Sequence, residues 1–370
     1  MSANKRRAVI VLDRGLSTPS AMVRAVQYRP YFEKSQSWQA EFSSRLSDEL
    51  RKVVNRARRP RIPLMMPLIY RPLEAYARRW ERRREDEIVK MAKEADLVYL
   101  IKIPHLALFQ KLSALKGPKV VLEMNDGLWL PFFRKYGWED LNAILTVADA
   151  VICENECIAD YARHHNRSVH VVPDSPQLPL FEKFRNSVQR DPAKVVIGWI
   201  GSQETANALY HILEPLEELF ARHSNLHLRV VGAAAENLPR FENVRCTHLA
   251  AYDQETMVRE ALGFDIGIFP LFHNQDALSR GTLKAMIFMS AEVATIAERV
   301  GENPKLIQDG TNGLLAATSN EWLEKLDWLV THPAERKLIA GHGLETIRQK
   351  FDTPVVFDRL LGAFDEILQA

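Results

Sequence analysis

Cysteine is scarce in this 370-residue chain: Cys153, Cys157 and Cys246 are the whole complement. Three thiols cannot build a disulfide framework, which points to a reducing, cytoplasmic setting. Cys153 and Cys157 stand four apart with no third or fourth ligand at the usual spacing, so no metal site is expected. Long hydrophobic runs are missing too, and nothing approaches the roughly 18 apolar residues that begin to span a bilayer. The N-terminal Met1–Arg7 leads into the short apolar run Ala8–Leu12, too brief for the core of a signal peptide. There is no G-x-G-x-x-G after the first strand, no Walker loop, no H-E-x-x-H, no G-x-S-x-G and no metal-holding Asp-x-Asp pair. Dehydrogenase, kinase, hydrolase and metal-dependent readings weaken together. Only 16 Gly and 19 Pro exclude collagen-like and low-complexity classes.

What is present suits a soluble globular protein, 46% hydrophobic and 26% charged. At roughly 100–200 residues per domain, two domains are expected. The net charge of +2 hides an asymmetry. Residues 1–95 hold 22 Lys and Arg against 11 Asp and Glu, whereas the remainder holds 27 against 36. A basic front on an acidic remainder points to an anionic substrate or surface near the N-terminal domain. Much of the excess lies in Arg51–Arg84, which has 12 cations, two Glu and interspersed Met65, Met66, Ile69, Tyr70 and Trp80. Two readings stay open: a solvated helix face, or peripheral docking on an anionic membrane. No nucleic-acid recognition motif accompanies the charge.

Short β-branched runs alternate with longer amphipathic stretches, the signature of β-α-β units on parallel sheets. The first half predicts strands at Ala8–Leu12, Leu97–Ile101, Lys119–Glu123, Ala150–Cys153 and Val169–Val172. Two long helices are expected between the first two of these. One carries Trp38, Phe42, Leu46, Leu50 and Val53 at helical spacing, and the other starts at Pro72. Periodicity fails around Pro173–Pro192, which reads as a linker. Strands then follow at Val195–Ile200, His227–Val231, Val244–Thr247, Asp265–Phe269, Val293–Ala297 and Leu314–Leu315, closing with helices Glu321–Thr331, Ala334–Lys350 and Val355–Leu368.

A glycine-bearing loop ends the first strand of each half: Asp13-Arg14-Gly15-Leu16-Ser17-Thr18-Pro19-Ser20 and Gly198-Trp199-Ile200-Gly201-Ser202-Gln203-Glu204-Thr205. Each either presents amides and hydroxyls to a phosphate at a helix N-terminus or is an ordinary helix cap. More specific is the run Asp265-Ile266-Gly267-Ile268-Phe269-Pro270-Leu271, then Asp276, then Ser279-Arg280-Gly281-Thr282-Leu283-Lys284-Ala285-Met286, then Val300-Gly301-Glu302-Asn303-Pro304-Lys305-Leu306-Ile307-Gln308-Asp309-Gly310-Thr311-Asn312-Gly313-Leu314-Leu315. These residues resemble family 4 of the glycosyltransferases, whose pattern runs D-I-G-I-x-P-L, R-G…L-K-x-x-x-x-M and V-G-x-N-P-x-x-I-x-D-G-x-N-G-L-L. The likeness is best over residues 195–350. A looser one covers Val26–Phe32, Glu123–Trp129 and Ala148–Ile152.

The resemblance implies the α/β GT-B fold, two Rossmann-like doubly wound domains facing a central cleft. Residues 1–175 would bind acceptor, 176–193 link, 194–354 bind the nucleotide sugar, and 355–370 form a helix crossing back to the first domain. It implies transfer of a sugar from a nucleotide diphosphate donor to a glycan, lipid-linked or small-molecule acceptor, retaining and metal-independent, with no cofactor beyond the donor itself. A departing nucleoside diphosphate without a metal needs Arg, Lys and helix amides. The resemblance therefore assigns Arg280 to the leaving diphosphate, with Gly201, Ser202, Gly281, Thr282, Lys284, Glu302 and Asn303 around the donor. Asp276 would contact the donor sugar. His105 would serve the acceptor side or be a plain loop residue, and Gly15, Ser17 and Asp126 would line that side. The family's Glu-x7-Glu spacing falls on Asp276 and Lys284. A second register, R-G-K-C-x-L-K, places its own Lys at Lys284 and its ribose Glu at Ile287. Either way the ribose carboxylate is lost, and the family's N-P-E becomes N-P-Lys305. These departures motivate the alternative of a catalytically impaired scaffold or regulatory subunit of a partner transferase.

Overall fold

The computed structural model describes residues 5–16, 19–46, 66–134 and 137–370, and the chain divides into two units. The first comprises Met1–Pro173 and Val356–Ala370, the second Asp174–Val355.

The first unit runs β1 (Arg6–Arg14), α1 (Pro19–Arg24), α2 (Arg29–Lys34), β2 (Trp38–Leu46), α3 (Met66–Ala92), β3 (Leu97–Ile101), α4 (Leu106–Ser113), β4 (Lys119–Met124), α5 (Pro131–Arg134), α6 (Leu141–Val147), β5 (Ala150–Cys153), α7 (Glu156–Arg163) and β6 (Val169–Val171). Its sheet has the order β2-β1-β3-β4-β5-β6, with each neighbouring pair parallel. Parallel strands covered on both faces need continuous apolar runs, and β3 is buried at every position. Alternate residues enter opposite cores. Val9, Val11, Val98 and Leu100 pack with Ile88 of α3 and Phe109 of α4, while Ile10, Leu12 and Tyr99 pack with Phe32 of α2 and with Phe357 and Phe364 near the C-terminus.

The stretch from Trp38 is a strand, not the expected helix. Trp38, Phe42 and Leu46 stand four apart, a spacing common to one helix face and to every second residue pair of a strand. Exposed Gln39 and Glu41 between buried Trp38 and half-buried Ala40 and Phe42 show the strand's alternation, and β2 pairs along β1 from Arg6↔Trp38 to Arg14↔Leu46. Leu50 and Val53 lie outside the described residues. The following helix begins at Met66 rather than Pro72, with Pro67 suited to its first turn.

The second unit contains α8 (Leu178–Phe184), β7 (Val195–Ile200), a 3-10 turn over Gln203–Ile212, α9 (Leu213–Arg222), β8 (Leu226–Val231), β9 (Cys246–Leu249), α10 (Gln254–Leu262), β10 (Ile266–Phe269), α11 (Gln275–Ser279), α12 (Leu283–Ser290), β11 (Ala294–Glu298), α13 (Asn303–Leu306), β12 (Leu314–Ala316), α14 (Ser319–Thr331) and α15 (Pro333–Lys350). α16 (Thr353–Gln369) starts here, and from Val356 onward it belongs to the first unit. The sheet order is β12-β11-β10-β7-β8-β9, again parallel throughout. The stretch 176–193, expected as a linker, instead contains α8. Leu178, Phe181 and Phe184 sit four or fewer residues apart and bury in the second unit's core beside Leu262 and Phe264. Prolines at 176 and 179 flank a helix start, so they read as breakers where one of them is only a first-turn residue.

Candidate active site

In an open parallel sheet, loops beyond the carboxyl ends of the strands gather ligands. In the second unit, β7 ends at Ile200 and the chain turns through Gly201 into the 3-10 turn. Ser202 and Thr205 form a reciprocal capping box. The Ser202 amide donates to Thr205 Oγ1 at 3.1 Å, and that hydroxyl donates to the Ser202 carbonyl, also at 3.1 Å. Ser202 therefore acts as a cap in this structure. Gly201 donates its amide to Val231 at 2.9 Å and accepts from the Tyr252 hydroxyl at 3.3 Å.

Lys284, from the first turn of α12, meets this loop. Its ammonium donates to Thr205 Oγ1 at 2.9 Å and lies over the rings of Trp199, 5.0 Å away, and Phe269, 5.6 Å away. A Cβ on Gly201 would stand 2.4 Å from the Trp199 ring and 2.8 Å from Lys284 Nζ, so glycine leaves room for the ring and the cation that meet there. Burial pushes the Lys284 ammonium down to about 7; the nearby charge of Arg280 adds to this and Asp276 opposes it.

Gly232, at the end of β8, has φ +99, and a Cβ there would overlap the Gly201 carbonyl oxygen. Gly232→Ala is thus expected to cost about 1–3 kcal/mol through strained backbone and to displace the Gly201 turn. Thermal melts and nucleotide titration check this, and a variant that melts and binds like the parent overturns it.

Asp276 and Arg280 pair with each other, Arg280 Nη2 lying 2.6 Å from Asp276 Oδ2. Asn274 caps their helix by accepting from the Ala277 amide at 2.9 Å. The loop after β11 approaches the same helix: a Cβ on Gly301 would stand 2.7 Å from the Ala277 carbonyl. Glu302 accepts from Lys305 at 2.8 Å. Asn303 is buried, and its side-chain amide donates to the Glu298 carbonyl at 2.9 Å, so it fastens the loop. α12 starts at Leu283, with Thr282 at the N-cap position, its side chain making no capping bond, and Gly281 one residue earlier. The structure thus gathers Gly201, Ser202, Thr205 and Lys284 at one point, with Asp276 and Arg280 near enough to act electrostatically on Lys284. Thr205, Trp199 and Phe269 stand in the sequence motifs, but their contacts with Lys284 are visible only in the structure. Hydroxyl and ring partners of a buried lysine lie far from it in sequence and carry no spacing signal.

In the first unit, His105 precedes α4, with Nδ1 3.3 Å from a carboxylate oxygen of Glu85, which is buried on α3. Asp126, two residues past β4, is ion-paired with Lys102, which has the unusual φ of 54. Gly15 directly follows β1, beside an Asp13–Arg45 pair at 2.7 Å. Ser17 lies outside the described residues. Cys153 is fully buried, and burial holds its thiol well above the usual range.

Residues 194–332 match the family model of glycosyl transferases group 1. Over that stretch the second unit is similar to group 1 glycosyltransferases. The match contains every residue of the Gly201–Lys284 and Asp276–Asn303 clusters. The fold of the chain agrees with solved GT-B structures. A glycosyltransferase from Rickettsia africae aligns with TM-score 0.68 at 14% identity, over 99% of both chains. HepE from Anabaena in complex with UDP-glucose aligns at 0.64 and 14%, over 97% of this chain and 99% of that one. A UDP-forming α,α-trehalose-phosphate synthase from Burkholderia xenovorans aligns at 0.63 and 12%, over 99% and 100%. No curated protein matches by sequence.

Proposed function

We propose that this chain is a glycosyltransferase that takes a sugar from a nucleotide diphosphate donor held by the second unit. The observation carrying the reading is the meeting of Lys284 with the Gly201–Thr205 turn inside the stretch similar to group 1 glycosyltransferases. A cation on a half-buried site, beside Arg280, suits the charge that grows on a departing diphosphate, and supplies it without a metal. Arg280 stabilises the leaving group, Asp276 and Glu302 contact the donor sugar, and transfer retains the anomeric configuration. HepE carries UDP-glucose, which makes a uridine donor the first to try. In the first unit, Gly15, Ser17, His105 and Asp126 would serve a glycan, lipid-linked or small-molecule acceptor.

The test is incubation of the folded protein with UDP-glucose and other nucleotide sugars, reading binding and nucleoside diphosphate release. A folded protein that neither binds nor splits any of them overturns the proposal.

A second reading, a scaffold that no longer turns over, draws on the two ion pairs Asp276–Arg280 and Glu302–Lys305, which occupy three candidate donor-side groups, Asp276, Arg280 and Glu302. Under it, UDP, GDP and their sugars leave the melting temperature unchanged. A true ligand at about 100 times its dissociation constant adds about 2.7 kcal/mol.

Among the described residues no helix is long and apolar enough to cross a membrane. We place the protein in the cytoplasm, touching an anionic membrane or anionic acceptor through Arg51–Arg84. Part of this segment lies outside the described residues, while Arg82 and Arg83 are exposed on α3. Neutralising Arg58, Arg59, Arg82 and Arg83 is expected to weaken binding to anionic vesicles at about 1 kcal/mol per cation. Unchanged binding in flotation leaves the segment a solvated face.

A further inference from the structure

Three side chains remote in sequence meet at the carboxyl edge of the second unit's sheet. Glu298 ends β11 and is fully buried; His273 follows β10; His211 closes the 203–212 turn. His273 Nε2 lies 2.8 Å from Glu298 Oε1, and His211 Nε2 lies 3.3 Å from Glu298 Oε2. All three donor atoms fall within 4.8 Å of one another. His211 Nε2 is buried and makes no hydrogen bond, although it stands 3.3 Å from the Glu298 carboxylate. Trp322 Nε1 donates to Glu298 Oε2 at 3.1 Å and so orients the carboxylate from behind.

We propose that His211, His273 and Glu298 bind a divalent transition-metal ion of the zinc type. Two imidazoles and one carboxylate are a zinc donor set, whereas magnesium and calcium prefer oxygen alone. Zinc bonds of ~2.0–2.1 Å at tetrahedral angles put donor atoms ~3.3 Å apart, the spacing already present between His211 and Glu298. A buried carboxylate needs positive charge nearby, and a dication supplies it. The Trp322 N–H is the outer partner that well-formed metal sites place behind a ligating carboxylate.

The position gives the ion a purpose. His273 lies three residues before Asp276, Glu298 four residues before Glu302, and His211 on the turn opened by Ser202 and Thr205. The ion therefore braces, at their bases, the three loops that carry the candidate donor-side residues. It touches none of Asp276, Arg280 or Lys284, and it acts on loop position rather than on the leaving group.

The test titrates the intact chain with Zn2+ at pH 7.5 against a chromophoric chelator, with thermal melts before and after. His273 is half-exposed, so His273→Ala is the first variant, its fold checked in the same melts, and His211→Ala is the second. The parent is expected to bind one equivalent more than either variant, with affinity at that site about 100-fold or more tighter, and to melt higher with zinc than without. Metal uptake is read without any nucleotide, so failure of the sugar-transfer reading leaves this test untouched. Equal uptake by parent and His273→Ala, or no uptake by the parent, overturns the proposal.

Discussion

Lys284→Met is expected to weaken binding of UDP or GDP by roughly 10–150-fold, the equivalent of the ~1.5–3 kcal/mol of a charge-assisted hydrogen bond. It is also expected to remove a pH dependence. In the free protein, burial holds the Lys284 ammonium at about 7 instead of 10.5, so above neutrality the group is largely uncharged. A bound diphosphate favours the charged form, and binding then takes up a proton. Affinity for the diphosphate falls as pH rises from about 7.5 to 9, by at most about tenfold per unit. In Lys284→Met the curve is flat over that window. Folding responds in the opposite direction. Between about 7 and 10.5 the unfolded chain holds a proton at Lys284 that the folded chain has released, so stability rises with pH through this window. Isothermal titration across pH 7.5–9 and urea melts at pH 7 and 9 check both slopes. A parent protein with a flat binding curve would falsify the role given to Lys284.

Glu123→Gln is expected to be the most destabilising single change in the first unit, by about 3–5 kcal/mol. At the end of β4, the Glu123 carboxylate lies 2.7 Å from Arg24 Nε, with side-chain exposures of 0% and 2%. Removing one charge strands the other in an apolar setting, where Ile10, Ile152 and Tyr99 form the surrounding core. For a unit of this size the melting temperature drops by about 6–20 °C. The double variant Arg24→Met/Glu123→Leu is expected to recover most of the loss, because the cost lies in the unpaired charge rather than in the missing attraction. Calorimetry of the parent, single and double variants decides. Equal losses in the single and double variants would mean that packing, not charge, sets the effect. Glu123 opens the segment Glu123–Trp129 that carries part of the looser family likeness, and its carboxylate is engaged by Arg24 inside the unit.

The expected strands on either side of the sheet centres coincide with β1, β3, β4, β5 and β7 within a residue or two because buried parallel strands have no polar face to blur their edges. The sheet's outer strand β2 escaped notice for the opposite reason. An edge strand is half-solvated, and Trp38, Phe42 and Leu46 satisfy both periods at once. Local spacing cannot choose between them; pairing with β1 does. Likewise α8 was hidden among prolines, and only the core that receives Phe181 and Phe184 makes it a helix of the second unit.

The sequence by itself determined the parallel α/β class, the placement of most strands, and the run from Asp265 to Leu315 that carries the glycosyltransferase likeness. All of these are written in residues close together along the chain. Tertiary structure alone decided which charges are engaged: Lys284 on the Gly201 turn, Arg280 on Asp276, Lys305 on Glu302, Glu123 on Arg24. It alone brought His211, His273 and Glu298 within reach of one ion. The physical reason is the parallel sheet. Each strand delivers its loop to the same edge regardless of its place in the chain, so residues separated by up to 99 positions become neighbours, and no spacing rule along the sequence records it.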